Sequence, residues 1–198
     1  MPVLFYLGTI IFTVVVSTLG DQVVAHEYLG NFLWLRAAAD NVTHGLIGLI
    51  CWVAACGPRC FPASLRESIL CGLIACALDV DHFVAAASVK IEDATRLRAR
   101  PFLHCTSIVI LAILMVMLAA RLTGQLQLYH LTLMASVAVT SHHLRDSLRR
   151  GLWLWPYGST PPVKIGFYYA GLGCIILVVI VGDTGLACEK EEPNVSLV

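Results

Sequence analysis

The sequence predicts an all-α membrane protein: a polytopic bundle of about six transmembrane helices, forming one domain over residues 1–185 with a polar tail at 186–198. Three observations predict it. Of the 198 residues, 58% are hydrophobic and only 13% charged, whereas soluble domains carry about 25% charged residues; mean hydropathy is +0.80. Six apolar runs approach the roughly 20 residues needed to cross a bilayer core, at 2–19, 42–57, 66–88, 102–121, 126–148 and 163–182. Glycine and proline punctuate the connections between them, at Gly57-Pro58, Pro62, Pro101, Gly124, Pro156, Gly158 and Pro161-Pro162.

The first run lacks a Lys or Arg ahead of its apolar core and ends in Ser17-Thr-Leu-Gly20, a fair cleavage site at best, so it reads as a retained helix rather than a signal peptide. The second run is short. The third and fifth carry ionisable groups near one end. The longest loops are expected at 20–41 and 149–162. The aromatic segment GLWLWPYG, residues 151–158, belongs at the membrane interface, where Trp and Tyr prefer to lie, or else as a lid over a site.

Orientation follows from Lys and Arg in the short connections. Nine of the 13 fall after helices one, three and five: Arg36, Lys90, Arg96, Arg98, Arg100, Arg145, Arg149, Arg150 and Lys164. The opposite side has Arg59, Arg66, Arg121 and Lys190. Those three connections are therefore expected in the cytoplasm, with both termini on the other side. Asn41-Val-Thr and Asn194-Val-Ser are glycosylation sequons, and Asn41 falls on the cytoplasmic side, so it reads as unused. Cys51, Cys71, Cys76, Cys105 and Cys174 lie in apolar runs and read as small hydrophobes. Cys56 and Cys60 flank a turn that a disulfide would fit. Formal net charge is zero with no long charged run, which gives no basis for nucleic-acid binding.

The stretch ALDVDHF, residues 77–83, sets Asp79, Asp81 and His82 inside otherwise apolar sequence. His44 stands at the start of the second run, His104 at the start of the fourth, and His142, His143 and Asp146 at the end of the fifth. Because the runs alternate in direction, all of these groups fall at the cytoplasmic face. His130 and the charges at 59–67 fall at the other. Helical spacing pairs Asp79 with His82, and Asp146 with His142 or His143. Asp81 points away from Asp79 in a regular helix and turns inward only where the helix end unwinds.

Imidazole with carboxylate suits Zn²⁺ first, with Mn²⁺ or Fe²⁺ also compatible. One metal with supporting groups fits this donor set, as do two metals sharing an Asp. Such a metal acidifies a coordinated water and supplies a nucleophile at neutral pH. The structural alternative is ionisable groups that merely pair to hold helices together. Each unpaired charge at membrane depth costs up to about 3 kcal/mol on insertion scales, and a metal would offset that cost.

Thr43-His44-Gly45, Asp79-Val-Asp-His82, Arg100-Pro-Phe-Leu-His104, Ser141-His-His-Leu-Arg-Asp146 and Gly151-Leu-Trp-Leu-Trp-Pro156 together resemble the bacterial inner-membrane proteins of the LexA-regulated, predicted metal-dependent hydrolase type. Within that group the motifs are especially similar to the eukaryotic transmembrane protein 267 family. The resemblance covers about residues 40–160. It implies metal-ligand roles for His44, Asp79, Asp81, His82, His104, His142 and Asp146, with His143 an extra imidazole that competes with His142. The bacterial pattern commonly reads Arg-Gly-x-x-His-Ser; here Pro101 replaces the glycine and Cys105 the serine.

The leading expectation is a membrane-embedded, metal-dependent hydrolase acting on a lipid or amphiphilic ester or phosphoester. Asp79 or Asp81 serves as general base, and Arg100 and Arg145 hold an anionic head group. The alternatives are a non-enzymatic metal-binding or metal-transporting protein and a structural or assembly protein. A Gly-rich phosphate loop and a Gly-x-Ser-x-Gly elbow are both missing from the sequence.

Overall fold

The computed structural model describes residues 2–30, 32–58 and 64–182. Helix α1 spans Pro2–Ala25 and α2 Glu27–Gly30; α3 runs Leu33–Cys56, α4 Leu65–Ala77, α5 Val80–Ala86 and α6 Ile91–Ala94. A 3₁₀ turn at Phe102–His104 leads into α7, Thr106–Leu122. Then come α8, Leu126–Arg150, strands β1 (Trp153–Leu154) and β2 (Gly158–Ser159), and α9, Ile165–Gly182. Each expected span corresponds to a helix, or to the α4–α5 pair. By length and composition, Val3–Ala25, Leu33–Cys56 and Leu65–Ala86 can cross a bilayer, and Thr106–Leu122 and Ile165–Val181 are shorter apolar helices.

Two expected loops are largely something else. Most of 20–41 is helical, because α1 continues to Ala25 and α3 begins at Leu33. The α3 start, LWLRAAADN, is amphipathic rather than uniformly apolar, so hydropathy alone places the helix too late. The 149–162 connection holds a two-stranded hairpin with Trp153 opposite Ser159. It opens at Gly151, whose φ of +68° and backbone neighbour (a Cβ there would lie 1.9 Å from the Thr160 carbonyl oxygen) leave no room for a side chain.

Helix α8 is central, packing on α3, α4, α7 and α9. Around it Ile47, Cys51, Trp52, Cys71, Ala75, Leu133, Met134, Val137, Ala138 and Tyr168 form the buried core. Outward-facing side chains such as Leu73, Leu114 and Val178 are apolar and exposed, as lipid contact requires. Since lipid tails are as apolar as a leucine core, close backbone approach rather than water exclusion drives such packing. Gly45 and Gly72 provide it between α3 and α4: a Cβ on Gly72 would lie 2.7 Å from the Gly45 carbonyl oxygen. Helix α1 meets α3 in the same way, with Gly20 against the Thr43 side chain.

Of the cysteines expected in the core, Cys51, Cys71 and Cys105 are buried and Cys76 is half-buried, but Cys174 lies exposed on the outer face of α9. The proposed Cys56–Cys60 disulfide, Arg59, and the tail with Lys190 and Asn194 fall outside the described residues.

Candidate metal centre

The third span is interrupted where its carboxylates begin. The Asp79 N–H bonds back to the Cys76 carbonyl at 3.3 Å, Asp81 N–H to Leu78 at 3.3 Å and His82 N–H to Asp79 at 3.2 Å. These are three-residue steps rather than the four-residue steps of an α-helix. The tighter winding between α4 and α5 brings Asp81 inward, where its side chain is 1% exposed. The inward turn that a regular helix forbids is thus achieved by a local tightening rather than by the expected unwinding.

His44 sits well inside α3 rather than at a helix start, and it is buried. His104 lies in the 3₁₀ turn before α7. Pro101, which has no N–H to give, is the residue before that turn and keeps α7 from starting earlier. His142 and Asp146 share one face of α8, four residues apart. His143 is turned away: its Nε2 donates to the Leu103 carbonyl at 2.9 Å. Of the two adjacent imidazoles, His142 is the one that enters the cluster.

The hydrogen-bond partners assign the ring protons. His142 Nδ1 lies 2.9 Å from the Ala75 carbonyl oxygen, which only accepts, so Nδ1 carries the hydrogen. His104 Nδ1 lies 3.2 Å from Asp81 Oδ2, which also accepts the Leu103 N–H at 2.9 Å. Both rings therefore turn Nε2 toward one another, 3.2 Å apart. Asp79 Oδ1 stands 3.5 Å from His104 Nε2 and 3.6 Å from His142 Nε2. On the other side Asp146 Oδ2 stands 3.6 Å and 4.0 Å from the same two nitrogens. Its Oδ1 lies 3.4 Å from His44 Nε2, and the His44 ring stacks on His142 at 3.9 Å between centroids.

These separations fit a metal. Ligand atoms held about 2.1 Å from a tetrahedral zinc lie about 3.4 Å from each other. Among the described residues three overlapping sets have donor atoms all within 4.8 Å: His44, His142 and Asp146; Asp79, His104 and His142; Asp81, His82 and His104. All seven ligand candidates that the resemblance implies therefore gather in one place.

Further side chains support the site, two of them (Asn41 and Arg149) not anticipated and two (Arg100 and Arg145) expected instead to hold an anionic head group. Asn41 Nδ2 donates to Asp79 Oδ2 at 2.9 Å and to the Cys76 carbonyl at 2.8 Å, fixing which oxygen faces the histidines. Arg149 spans Asp146 Oδ1 at 3.0 Å and Asp40 Oδ2 at 2.7 Å. Arg145 is one carboxylate removed from the cluster: its buried guanidinium meets Asp40 at 3.3 Å and Asp21 of α1 at 2.8 Å. Arg100 donates to the backbone carbonyls of Arg150 and Gly151, pinning the turn after α8. Burial lowers the Arg100 pKa, Arg150 lowers it further, and Asp146 opposes both. In sequence, Asn41 read only as a sequon and Asp40 as a loop residue. Their register one turn or less before His44 on α3 was the available signal.

At the other end of the bundle, Glu67 accepts from Trp52 Nε1 at 3.2 Å and pairs with His130 Nε2 at 3.0 Å. This joins two of the groups expected at that face.

A helical membrane bundle whose polar interior is a His/Asp pocket at the meeting of α3, α5, α8 and the turn before α7 defines the class. The family model described as YdjM inner membrane protein matches residues 40–198, and the chain belongs to that family of membrane proteins. Among relatives named transmembrane protein 267, that of Mus musculus is 40% identical over 149 residues, 75% of this chain and 69% of the relative. The Danio rerio protein is 33% identical over 179 residues, covering 86% and 80%. The Xenopus laevis protein is 35% identical over 177 residues, covering 86% and 82%. No solved structure matches. The resemblance drawn from the motifs is thereby borne out.

Proposed function

We propose that this protein is a membrane-embedded, metal-dependent hydrolase, acting at the cytoplasmic interface on a lipid or amphiphilic ester or phosphoester. One observation carries the reading: two histidines whose outer nitrogens are already engaged turn their Nε2 atoms on each other at 3.2 Å, between two carboxylates. Two lone pairs so placed repel unless a cation lies between them. His104, His142, Asp79 and Asp146 would hold that cation, zinc by preference, with His44 behind Asp146. When bound, it would supply Lewis acidity and bring water's deprotonation into the neutral range.

The chain's own residues divide the remaining work. Asp81 is fully buried and bonded to His104, so it positions the ring. Asp79, half-exposed at 30% of its side chain, marks the side on which the site opens. It stands at the polar end of a cleft of about 380 Å³ lined by Leu73, Cys76, Ala77, Val80 and Phe83, with Asn41 beside it. An apolar chain in that cleft would bring the polar group of an amphiphile to the histidines. Arg150 is exposed beside Arg100 and would meet an anionic head group in place of Arg145, whose charge Asp21 and Asp40 already match.

The competing reading is a structural polar cluster. It requires one of the two rings to be doubly protonated and to donate its Nε2–H to the other. Metal analysis of the purified protein separates the two, since the structural cluster carries no stoichiometric metal. Turnover is then measured as fatty-acid or phosphate release from ester and phosphoester amphiphiles in micelles. His104→Ala/His142→Ala is expected to lose both metal and turnover; undiminished hydrolysis by that metal-free variant would overturn the proposal.

A further inference from the structure

The central four-ligand set leaves further donor atoms unaccounted for, two of them side by side. Asp81 Oδ1 and His82 Nδ1 are buried, and neither has a hydrogen-bond partner. They nevertheless stand 3.2 Å apart. They are close enough to pair as charges, but the direction of the ring makes no hydrogen bond between them. The other carboxylate oxygen, Oδ2, is fully used by the Leu103 N–H and by His104 Nδ1, whereas Oδ1 accepts no hydrogen bond. Leaving such a carboxylate oxygen without a hydrogen bond costs about 1–3 kcal/mol, and the Asp81 side chain is only 1% exposed.

The third member of this group is Asp79. Its Oδ1 lies 3.8 Å from His82 Nδ1, and the same atom lies 3.5 Å and 3.6 Å from the Nε2 atoms of His104 and His142. One carboxylate oxygen therefore faces both the central donors and His82 Nδ1 of the outer pair. Asn41 holds the other oxygen back at 2.9 Å, so this presentation is fixed. Carboxylates that face two donor sets in this way are the usual bridges of two-metal sites, whose ions lie about 3.5–4 Å apart.

We propose that the pocket holds a second divalent cation, bound by Asp81 Oδ1 and His82 Nδ1 and bridged to the first through Asp79. This rests on the reading of the central histidines as metal ligands. It gives the pocket two cations across which a substrate phosphoryl or carbonyl oxygen can be shared. It also gives His82, which is not part of the central set, a defined role.

The test uses the full chain in detergent, stripped with a chelator, reloaded with zinc alone and desalted. Zinc per chain is then measured by plasma mass spectrometry. Two zinc ions are expected in the wild type and one in His82→Ala. Reloading with Mn²⁺ adds a readout independent of turnover: an exchange-coupled pair signal by electron paramagnetic resonance in the wild type, and an isolated-ion signal in His82→Ala. Size-exclusion elution and metal-free melting establish that the variant is folded; His82→Gln, which keeps the side chain's bulk but not its ring, replaces it if it is not. A wild type with one zinc, lost in His142→Ala but kept in His82→Ala, overturns the second position and leaves the hydrolase reading standing. A wild type with no zinc overturns both.

Discussion

His104 Nε2 and His142 Nε2 face each other at 3.2 Å although one ring precedes α7 and the other lies deep in α8. Each ring is oriented from behind, His142 by a backbone carbonyl and His104 by the Asp81 carboxylate. Orientation from behind is what distinguishes a ligand ring from a ring that simply fills space.

Replacing Asp81 by Asn keeps its shape but removes the charge that holds His104 Nδ1–H. Zinc affinity should fall about 10–100-fold, as when comparable supporting groups of metal-binding histidines are lost. Competition against a chelating dye reads this directly. An affinity unchanged within twofold would mean that Asp81 does not orient His104.

Asn41→Ala frees Asp79 Oδ2 and removes a donor from the Cys76 carbonyl. Zinc affinity should drop within the same 10–100-fold range, whereas Asn41→Asp should do worse by adding a charge beside Asp79. If Asn41→Asp binds zinc as well as wild type, the side-chain bond to Asp79 has no bearing on the site.

The Arg145 side chain is 1% exposed between Asp21 and Asp40. Arg145→Met should destabilise the bundle by about 2 kcal/mol, because it removes the charge-assisted hydrogen bonds that tie Asp21 of α1 and Asp40 of α3 to α8, although Asp40 keeps Arg149. Asp21→Asn should cost much less, since Asp21 is half exposed and Asp40 still faces the guanidinium. Thermal melting in detergent compares the two, and equal losses would place the network's weight elsewhere.

Gly72→Ala puts a methyl 2.7 Å from the Gly45 carbonyl oxygen, a backbone atom that cannot step aside cheaply. The expected cost is about 1–3 kcal/mol. Gly173→Ala, with nothing within 4 Å, should cost almost nothing. A Gly72→Ala melt matching wild type would mean that α3 and α4 can part without penalty.

Much of this was readable in advance because each span had to be apolar and each polar group within it had to have a reason. His44, Asp79, His82, His104, His142 and Asp146 stand out against such a background. What periodicity could not reach is pairing between helices. Whether His142 or His143 faces the cluster depends on where α8 meets the turn at Leu103, which no spacing within α8 encodes. Asn41 and Asp40 were hidden for a related reason: they lie where α3 is amphipathic, and a search for uniform hydropathy starts the helix beyond them. Arg149 counted only as a positive charge after the fifth span, yet it spans Asp40 and Asp146.

The interruption at Asp79 has a consequence for what repair of this span would do. In an unbroken α-helix the Ala75 carbonyl would receive the N–H of residue 79; here that N–H goes to Cys76, and His142 takes the Ala75 oxygen instead. Straightening the span with helix-favouring substitutions would return that oxygen to its own backbone and cast His142 loose. Local perfection of the helix and anchorage of the imidazole compete for a single atom, so the flaw is the fastening.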